Sequence, residues 1–130
     1  QRTRRDCPVS KREKRILVID DDPDIALVLV SVVEEEGYQV DAIDGGDYLE
    51  RIGEGEPPDL ILLDMLLSGQ DGRQIARRLK RQDATRHIPI VMLSAHPNAE
   101  REALDAGADG FLAKPFDIDV LLATIATYLG

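Results

Sequence analysis

Short, unbroken apolar runs alternate along this chain with longer segments of helical spacing, and this alternation constrains the fold more than any other feature. Residues 16–19, 60–63 and 90–93 are each a run of large apolar residues. Runs of this length are typical of strands that are buried on both faces of a parallel sheet. Gln39–Ile43 and Gly110–Ala113 are weaker strand candidates. The sequence therefore predicts five strands.

The segments between the strands carry the apolar spacing of amphipathic helices. The first helix is predicted to start with Asp22 as N-cap and Pro23 as its first residue, and to end at Gly37. Its apolar stripe comprises Ile25, Val28, Leu29, Val32 and Val33. Two further stripes comprise Ile75, Ala76 and Leu79 after Asp71, and Ile118, Leu121, Leu122, Ile125 and Leu129 after Asp117. Shorter helix candidates are 47–52 and 98–106, the latter stopped by Gly107.

Strands and helices in strict alternation predict right-handed crossovers and a parallel sheet with helices on both faces. Five strands are too few for an eight-stranded barrel. We therefore expect an α/β fold with a doubly wound five-stranded parallel sheet of order 2-1-3-4-5, the (βα)5 flavodoxin-like architecture. The 130 residues fit one such domain, which we place at 15–130.

The charge of the chain is unevenly distributed. The formal net charge of −9 argues against direct binding of nucleic acid or of an anionic membrane by the domain. Residues 1–14 are predominantly basic, and we interpret them as a linker or tail rather than as a docking or nucleic-acid-binding arm. Cys7 is the one cysteine, so no internal disulfide can form, and no apolar run reaches the roughly 20 residues of a membrane helix. These features predict a cytoplasmic protein, and the start at Gln1 indicates a piece of a longer one.

Polar side chains follow the apolar runs at the edge where the strands end. Asp20 and Asp21 follow the first strand, Asp64 the third, Ser94 the fourth and Lys114 the fifth. In a doubly wound sheet, ligands bind outside the carboxyl ends of the strands, where the strand order reverses. We therefore expect these five residues to form one site.

The residue types of this predicted site suit phosphoryl transfer to a carboxylate. Ionised carboxylates at close quarters repel one another and need a counter-charge, and oxygen-rich clusters of this kind suit Mg²⁺. Lys114 supplies a point charge suited to a phosphate, and the Ser94 hydroxyl can bond a phosphoryl oxygen. A nucleophile, a metal and cationic donors are the parts that such a transfer requires. Asp22 is interpreted as a helix cap rather than as a ligand.

These residues, in their order and spacing, resemble the receiver domain of two-component response regulators. The matching stretches are 16–22, 59–64, 71–72, 90–95, 106–110 and 114–116. The resemblance implies a phospho-accepting domain of a phosphorelay, which catalyses only its own phosphorylation and dephosphorylation and is otherwise not an enzyme. It implies a histidine kinase or phosphotransfer domain as one partner, and an output domain or effector protein of unknown identity as another.

The resemblance also implies roles for single residues. Asp64 would accept the phosphoryl group, and Ser94 and Lys114 would contact it. The ligands of Mg²⁺ (or Mn²⁺) would be Asp20, Asp21, Asp64 and the backbone carbonyl of Leu66. Phe111 occupies the switch-aromatic position. It would fill the space that Ser94 vacates and so change the surface formed by the fourth helix, the fifth strand and the fifth helix, which partners contact.

Three positions tune the phosphate lifetime or depart from the family pattern. Leu66, two residues after the acceptor, and His96, two after Ser94, would tune the lifetime of the phosphate by controlling water access. Ser68 stands where the family usually has proline, which loosens the loop and blocks no chemistry. His87 is expected to be a surface residue. The bond between Lys114 and Pro115 is cis in the family.

Other classes of protein fit the sequence less well. An aspartyl phosphatase needs a second acid two residues after the nucleophile, where this chain has Leu66. A nucleotide-binding domain needs a glycine-rich loop after the first strand, whereas residues 20–23 carry charges that repel a pyrophosphate. A degenerate receiver, used only for docking, is disfavoured because all the site positions hold competent residue types.

The last predicted helix, 118–129, contains no Lys or Arg. Receivers of transcriptional regulators that dimerise through this face usually have basic residues there, so we do not expect that mode of dimerisation. The basic tail would suit a linker from a preceding domain, as in a hybrid histidine kinase. A freestanding receiver is the alternative.

Overall fold

The computed structural model describes residues 14–44, 52, 57–67, 69–96 and 98–129. In chain order, the elements are β1 (Arg15–Ile19), α1 (Pro23–Glu35), β2 (Gln39–Ile43), β3 (Leu60–Asp64), β4 (Leu66–Leu67), β5 (Gln70–Asp71), α2 (Gly72–Arg81), β6 (Ile90–Ser94), α3 (Ala99–Asp105), β7 (Gly110–Ala113) and α4 (Ile118–Leu129). Five of the strands form one parallel sheet of order β2-β1-β3-β6-β7. This is the predicted order of a flavodoxin-like fold, and that prediction is confirmed.

The segment after β3 contains two short strands that the sequence did not predict. Leu66 pairs with Asp71 and Leu67 with Gln70, which makes β4 and β5 a small antiparallel ladder. Strands of two residues carry too little periodicity to be recognised in a sequence. The ladder ties the ends of the loop together on both sides of Ser68, which lies outside the described residues. Outside them also lie the basic residues 1–13 and, apart from Ile52, the predicted helix 47–52.

Each strand of the sheet sends alternate side chains into two separate apolar layers. In β1, Leu17 and Ile19 pack with residues of α2 and α3, whereas Ile16 and Val18 pack with residues of α1 and α4. This division follows from the two-residue period of a strand. It explains why the predicted strands are apolar throughout, and it confirms that helices cover both faces.

Helix α1 begins as the sequence predicts but buries a narrower stripe. Oδ1 of Asp22 accepts the backbone N–H of Asp24 at 3.0 Å, and Pro23 is the first helical residue. Leu29 and Val33 are fully buried, but Val28 is 53% exposed and lies outside the buried part of the predicted apolar stripe. Successive residues of a helix are rotated by about 100° around its axis. Leu29 lies at the centre of the buried stripe, and Val28 therefore lies at its side.

The remaining helix boundaries agree closely with the sequence analysis. Asp71 caps α2 by accepting the backbone N–H of Arg73 at 2.9 Å. Gly107, which follows α3, has φ of 103°, and the Asp117 carbonyl accepts the N–H of Leu121. In α4, Leu121 and Ile125 are buried, whereas Ile118 is exposed rather than part of the core. Within the part of the chain that the structure describes, no helix combines the length and the apolar character needed to cross a bilayer.

Candidate functional site

The three predicted acidic residues lie together at the carboxyl edge of the sheet. Asp64 is the last residue of β3, and Asp20 follows β1, whose Ile19 pairs with Leu63. Carboxylate oxygens of Asp20, Asp21 and Asp64 all lie within 4.8 Å of one another. The strand pairing therefore brings together side chains that are far apart in the sequence, as the sequence analysis predicted.

Asp20 is the most enclosed of the three carboxylates. Its residue is 3% exposed, and its Oδ1 accepts the backbone N–H of Asp22 at 2.9 Å. Its Oδ2 is buried and accepts no hydrogen bond from the residues that the structure describes. A buried oxygen of a carboxylate is costly without a donor or a cation. The donor set and this unsatisfied oxygen both fit a small, hard cation such as Mg²⁺.

Lys114 completes the cluster from the loop after β7. Its Nζ donates a hydrogen bond to Oδ1 of Asp64 at 3.3 Å, and it lies 3.5 Å from Oδ2 of Asp20. The second contact is an ion pair without the alignment of a hydrogen bond, which is why the Asp20 oxygen stays unsatisfied. The backbone N–H of Lys114 donates to the Ser94 carbonyl at 2.9 Å, which fixes this loop against β6. The Lys114–Pro115 bond is cis, as the resemblance implied.

The surroundings of Asp64 make its carboxyl harder to ionise than a free side chain. Burial raises the pKa of this carboxyl above its usual range, and the neighbouring Asp20 carboxylate raises it further. Lys114 and the backbone N–H of Leu66 lower the same pKa, but they do not cancel the effect of burial. The site therefore holds its negative charge at an energetic cost. A cation bound among the carboxylates would remove part of that cost.

Gly72, the first residue of α2, has a role that the sequence analysis did not identify. Its N–H donates to the Met65 carbonyl at 2.8 Å. A Cβ at this position would overlap the backbone oxygen of Asp64 and would lie 2.8 Å from Cα of Met65. Glycine thus allows α2 to start directly against the strand end that carries Asp64. The available signal was a glycine directly after the helix cap Asp71, where a better helix former is expected.

Ser94 and Phe111 lie on the strands next to the cluster. Ser94 ends β6, in which Leu93 pairs with Asp64, and its Oγ accepts the backbone N–H of His96 at 3.0 Å. Phe111 lies in β7 and packs, partly buried, against the apolar layer under α2 and α3. Ser94 and Phe111 therefore lie on the strands in which the sequence placed them. The cluster of carboxylates and lysine comprises Asp20, Asp21, Asp64 and Lys114.

The two positions expected to tune phosphate lifetime are both open to solvent. Leu66 in β4 is 67% exposed although it is a large apolar residue. His96 is exposed in the loop after β6, and its Nδ1 accepts the backbone N–H of Asn98 at 3.2 Å. His87 is exposed as predicted, just before β6.

Comparisons with known proteins agree with this geometry. Residues 16–126 match the model of the response regulator receiver domain. The chain belongs to this family. It is 40% identical over 116 residues to the phosphate regulon transcriptional regulatory protein PhoB of Escherichia coli, across 86% of this chain and 50% of PhoB. It is 34% identical over 128 residues to the sensor protein GacS of Pseudomonas syringae, across 95% of this chain and 14% of GacS.

Solved structures of receiver domains have the same fold as this chain. The receiver domain of a Pseudomonas aeruginosa sensor histidine kinase, described with a magnesium ion coordinated in its active-site cleft, superimposes with a TM-score of 0.81 at 31% identity. That match covers 90% of this chain and 96% of the other. This receiver chain therefore has the phospho-accepting function of two-component signalling. It spans about half the length of PhoB and a smaller part of GacS.

Proposed function

We propose that Asp64 accepts a phosphoryl group from a phosphohistidine of a partner histidine kinase or phosphotransfer domain. The observation that carries this proposal is the cluster of three carboxylates within 4.8 Å, with Lys114 Nζ 3.3 Å from Asp64 Oδ1. An oxygen of Asp64 attacks phosphorus and forms an acyl phosphate, while the bond between phosphorus and the histidine nitrogen breaks. The bonding electrons return to that imidazole nitrogen.

The other polar residues position and neutralise the transferred group. Lys114 already faces the acceptor, so its ammonium group can pair with a phosphoryl oxygen without a large movement. Ser94 ends the adjacent strand and can donate its hydroxyl proton to another phosphoryl oxygen. These contacts act on the charge that the phosphoryl oxygens carry during transfer.

A Mg²⁺ or Mn²⁺ ion would be held by the carboxylates of Asp20, Asp21 and Asp64 together with the backbone carbonyl of Leu66. Such an ion supplies charge neutralisation for the phosphoryl oxygens. The buried, unsatisfied Oδ2 of Asp20 supports this assignment, because that oxygen lacks a donor among the described residues. The upward shift of the Asp64 pKa supports it as well, since a cation favours the ionised nucleophile.

Hydrolysis of the acyl phosphate would be the only other reaction of this domain. Leu66 and His96 flank the site and would set the lifetime of the phosphate by controlling the approach of water. Leu66 offers no acid or base to a substrate, so we do not expect turnover of free phosphate esters. The domain would therefore act as a timed signal rather than as an enzyme.

Phosphorylation would change the surface formed by α3, β7 and α4. These are the elements predicted above as the fourth helix, the fifth strand and the fifth helix. The acyl phosphate adds negative charge and acceptor oxygens beside Ser94. Movement of Ser94 toward the phosphoryl group would open space for Phe111, which is already partly buried. The result is a population shift between two packings of the same fold. An output domain or effector protein would bind one packing more tightly.

The sequence relatives indicate the kinds of protein in which such a domain operates. PhoB is a transcriptional regulatory protein and GacS is a sensor protein, and this chain aligns with one part of each. Two-component phosphotransfer from a kinase would place the domain in the cytoplasm. The formal net charge of −9 supports contacts with proteins rather than with nucleic acid or an anionic membrane.

Labelling by acetyl phosphate and binding of beryllofluoride, with and without Mg²⁺, test the proposed function. We expect both signals to require Mg²⁺ and to be lost in Asp64→Asn. Asp59→Asn is a matched control, because Asp59 also lies beside β3 but at its other end. Full labelling of Asp64→Asn, or no signal from the wild-type protein, would contradict the assignment of the acceptor.

A further inference from the structure

Helix α3 is weakly anchored at its N-terminus. It has 7 residues and buries only Ala99 and Ala103, which remove little apolar surface from water. Helices this short are marginal in water and depend on packing and on contacts at their ends. Asn98, at the N-cap position, makes no capping hydrogen bond with its side chain. The side chain at the N-cap position therefore does not stabilise the start of α3.

His96 accepts hydrogen bonds from the two backbone N–H groups at which α3 begins. Its Nδ1 accepts the backbone N–H of Asn98 at 3.2 Å, and its carbonyl accepts the N–H of Ala99 at 3.1 Å. N–H groups at the start of a helix have no partner within the helix, so both contacts satisfy donors that would otherwise need water. Nδ1 can accept only in the neutral tautomer with its proton on Nε2.

The backbone of the same residue reaches the hydroxyl that would contact the phosphate. The N–H of His96 donates to Oγ of Ser94 at 3.0 Å, and Ser94 is buried. A hydroxyl has one proton and two lone-pair sites, so it can donate to a phosphoryl oxygen and still accept from His96. A shift of Ser94 toward Asp64 would thus either move the His96 backbone or break this bond.

We propose that His96 is a positioning residue that couples Ser94 to the start of α3, with its imidazole as the cap of that helix. The proposal rests on the proposed function, because Ser94 must sense the phosphoryl group. Capping would be a second role of the His96 side chain, separate from the control of water access. The pair Arg73–Glu102 also tethers α3, at 3.4 Å, but it is half-exposed and contributes little stability.

Two variants separate the capping imidazole from the bulk of the side chain. In His96→Asn, the side-chain oxygen can accept an N–H two residues further on, whereas His96→Leu keeps comparable volume and cannot accept. The first measurement is amide hydrogen exchange in α3 of the full chain without phosphate donor. We expect exchange to be about two- to thirtyfold faster in His96→Leu and close to wild type in His96→Asn. Asn98→Ala is the control, and it should change little.

The second measurement follows the amide resonances after addition of Mg²⁺ and beryllofluoride. Resonances around Asp64 should respond in the wild type and in both variants, whereas the response of α3 should be lost or reduced in His96→Leu alone. Unchanged exchange in His96→Leu would overturn the cap, and an unchanged α3 response would overturn the coupling. An altered phosphate lifetime with α3 unaffected would restrict His96 to water access. Failure of the wild type to bind beryllofluoride would contradict the proposed function instead, and hydrogen exchange would still decide the cap.

Discussion

The ammonium group of Lys114 lies 3.3 Å from Oδ1 of Asp64, across 50 residues of sequence. The same Nζ is 3.5 Å from Oδ2 of Asp20, so one ammonium group faces two carboxylates. This arrangement gives the lysine two opposing effects. It offsets the repulsion between the carboxylates, and it also disfavours a second cation at the same site.

Replacement of Lys114 by methionine should separate these effects. We expect the affinity for Mg²⁺ to rise severalfold, because a positive charge that competes with the ion is removed. Labelling by acetyl phosphate should nevertheless fall about 100-fold, since a donor to the transferring group is lost. Calorimetric titration with Mg²⁺ and timed labelling measure the two quantities, with the exposed Arg81→Met as control. Weaker Mg²⁺ binding by Lys114→Met than by the wild type would show that the lysine organises the carboxylates instead of opposing the ion.

Asp64→Asn should stabilise the metal-free protein near neutral pH. The pKa of Asp64 is raised by burial and by Asp20, so the folded state binds this proton more tightly than the unfolded state does. Its ionisation therefore destabilises the fold as pH rises through the raised pKa, and the effect is absent below the ordinary value of 3.8, where both states are protonated. The size of the gain follows from how far the pKa is raised, and the gain should be fully present at pH values above the raised pKa.

Urea unfolding of the wild type and Asp64→Asn over a range of pH values, in chelator, measures this gain. The difference in the free energy of unfolding should shrink toward zero as the pH falls below the ordinary carboxyl value. Added Mg²⁺ should stabilise the wild type and reduce or reverse the difference, because an ion that binds only the folded state adds to its stability. A difference that stays constant with pH would mean that the charge of Asp64 is not its cause.

Gly72→Ala should damage the acceptor site through the backbone. The new Cβ would overlap the backbone oxygen of Asp64, and backbone cannot rotate away as a side chain can. We expect a loss of about 1–3 kcal/mol in the free energy of unfolding, with reduced labelling of the protein that remains folded. Gln74→Ala, on the exposed face of the same helix, should change neither quantity. Wild-type labelling and stability in Gly72→Ala would show that α2 can move away from β3 at no cost.

The sequence predicted the sheet and the acidic cluster well because both follow from the order of residue types along the chain. Apolar runs determined the strands, and the residue after each run had to lie at one edge of a parallel sheet. Close approaches between backbone segments could not be predicted, since no periodicity in the sequence indicates them. The ladder of β4 and β5 and the role of Gly72 depend on distances between backbones. The helical spacing alone could not show that Val28 lies on the flank of α1.

The contacts of His96 illustrate the same limit. The sequence indicated its place two residues after Ser94, and it therefore suggested only an influence on water near the phosphate. Which atom Nδ1 faces depends on the conformation of the loop, in which the N–H of His96 donates to Oγ of Ser94. This hydrogen bond has no signature in the spacing of residue types.

Lys80 links several segments at the edge of the sheet opposite the acceptor. Its Nζ donates to the carbonyls of Arg86 and Ile88, at 3.2 and 2.9 Å, and pairs with Oδ2 of Asp109 at 2.7 Å. The same Asp109 oxygen accepts the backbone N–H of Ile90 at 2.9 Å. One lysine thus joins α2, the start of β6 and the turn before β7.

Lys80→Met should therefore destabilise the domain without changing its chemistry. The two carbonyls and the Asp109 carboxylate would each lose a donor in a partly enclosed position, and we expect a loss of about 1–3 kcal/mol in the free energy of unfolding. Arg78→Met, on the exposed face of the same helix, should cost less than about 0.5 kcal/mol. Urea unfolding measures both losses, and Mg²⁺-dependent labelling should remain at the wild-type rate, because Lys80 contacts no residue of the carboxylate–lysine cluster within the described chain. A loss of labelling in folded Lys80→Met would instead mean that the two edges of the sheet are energetically coupled.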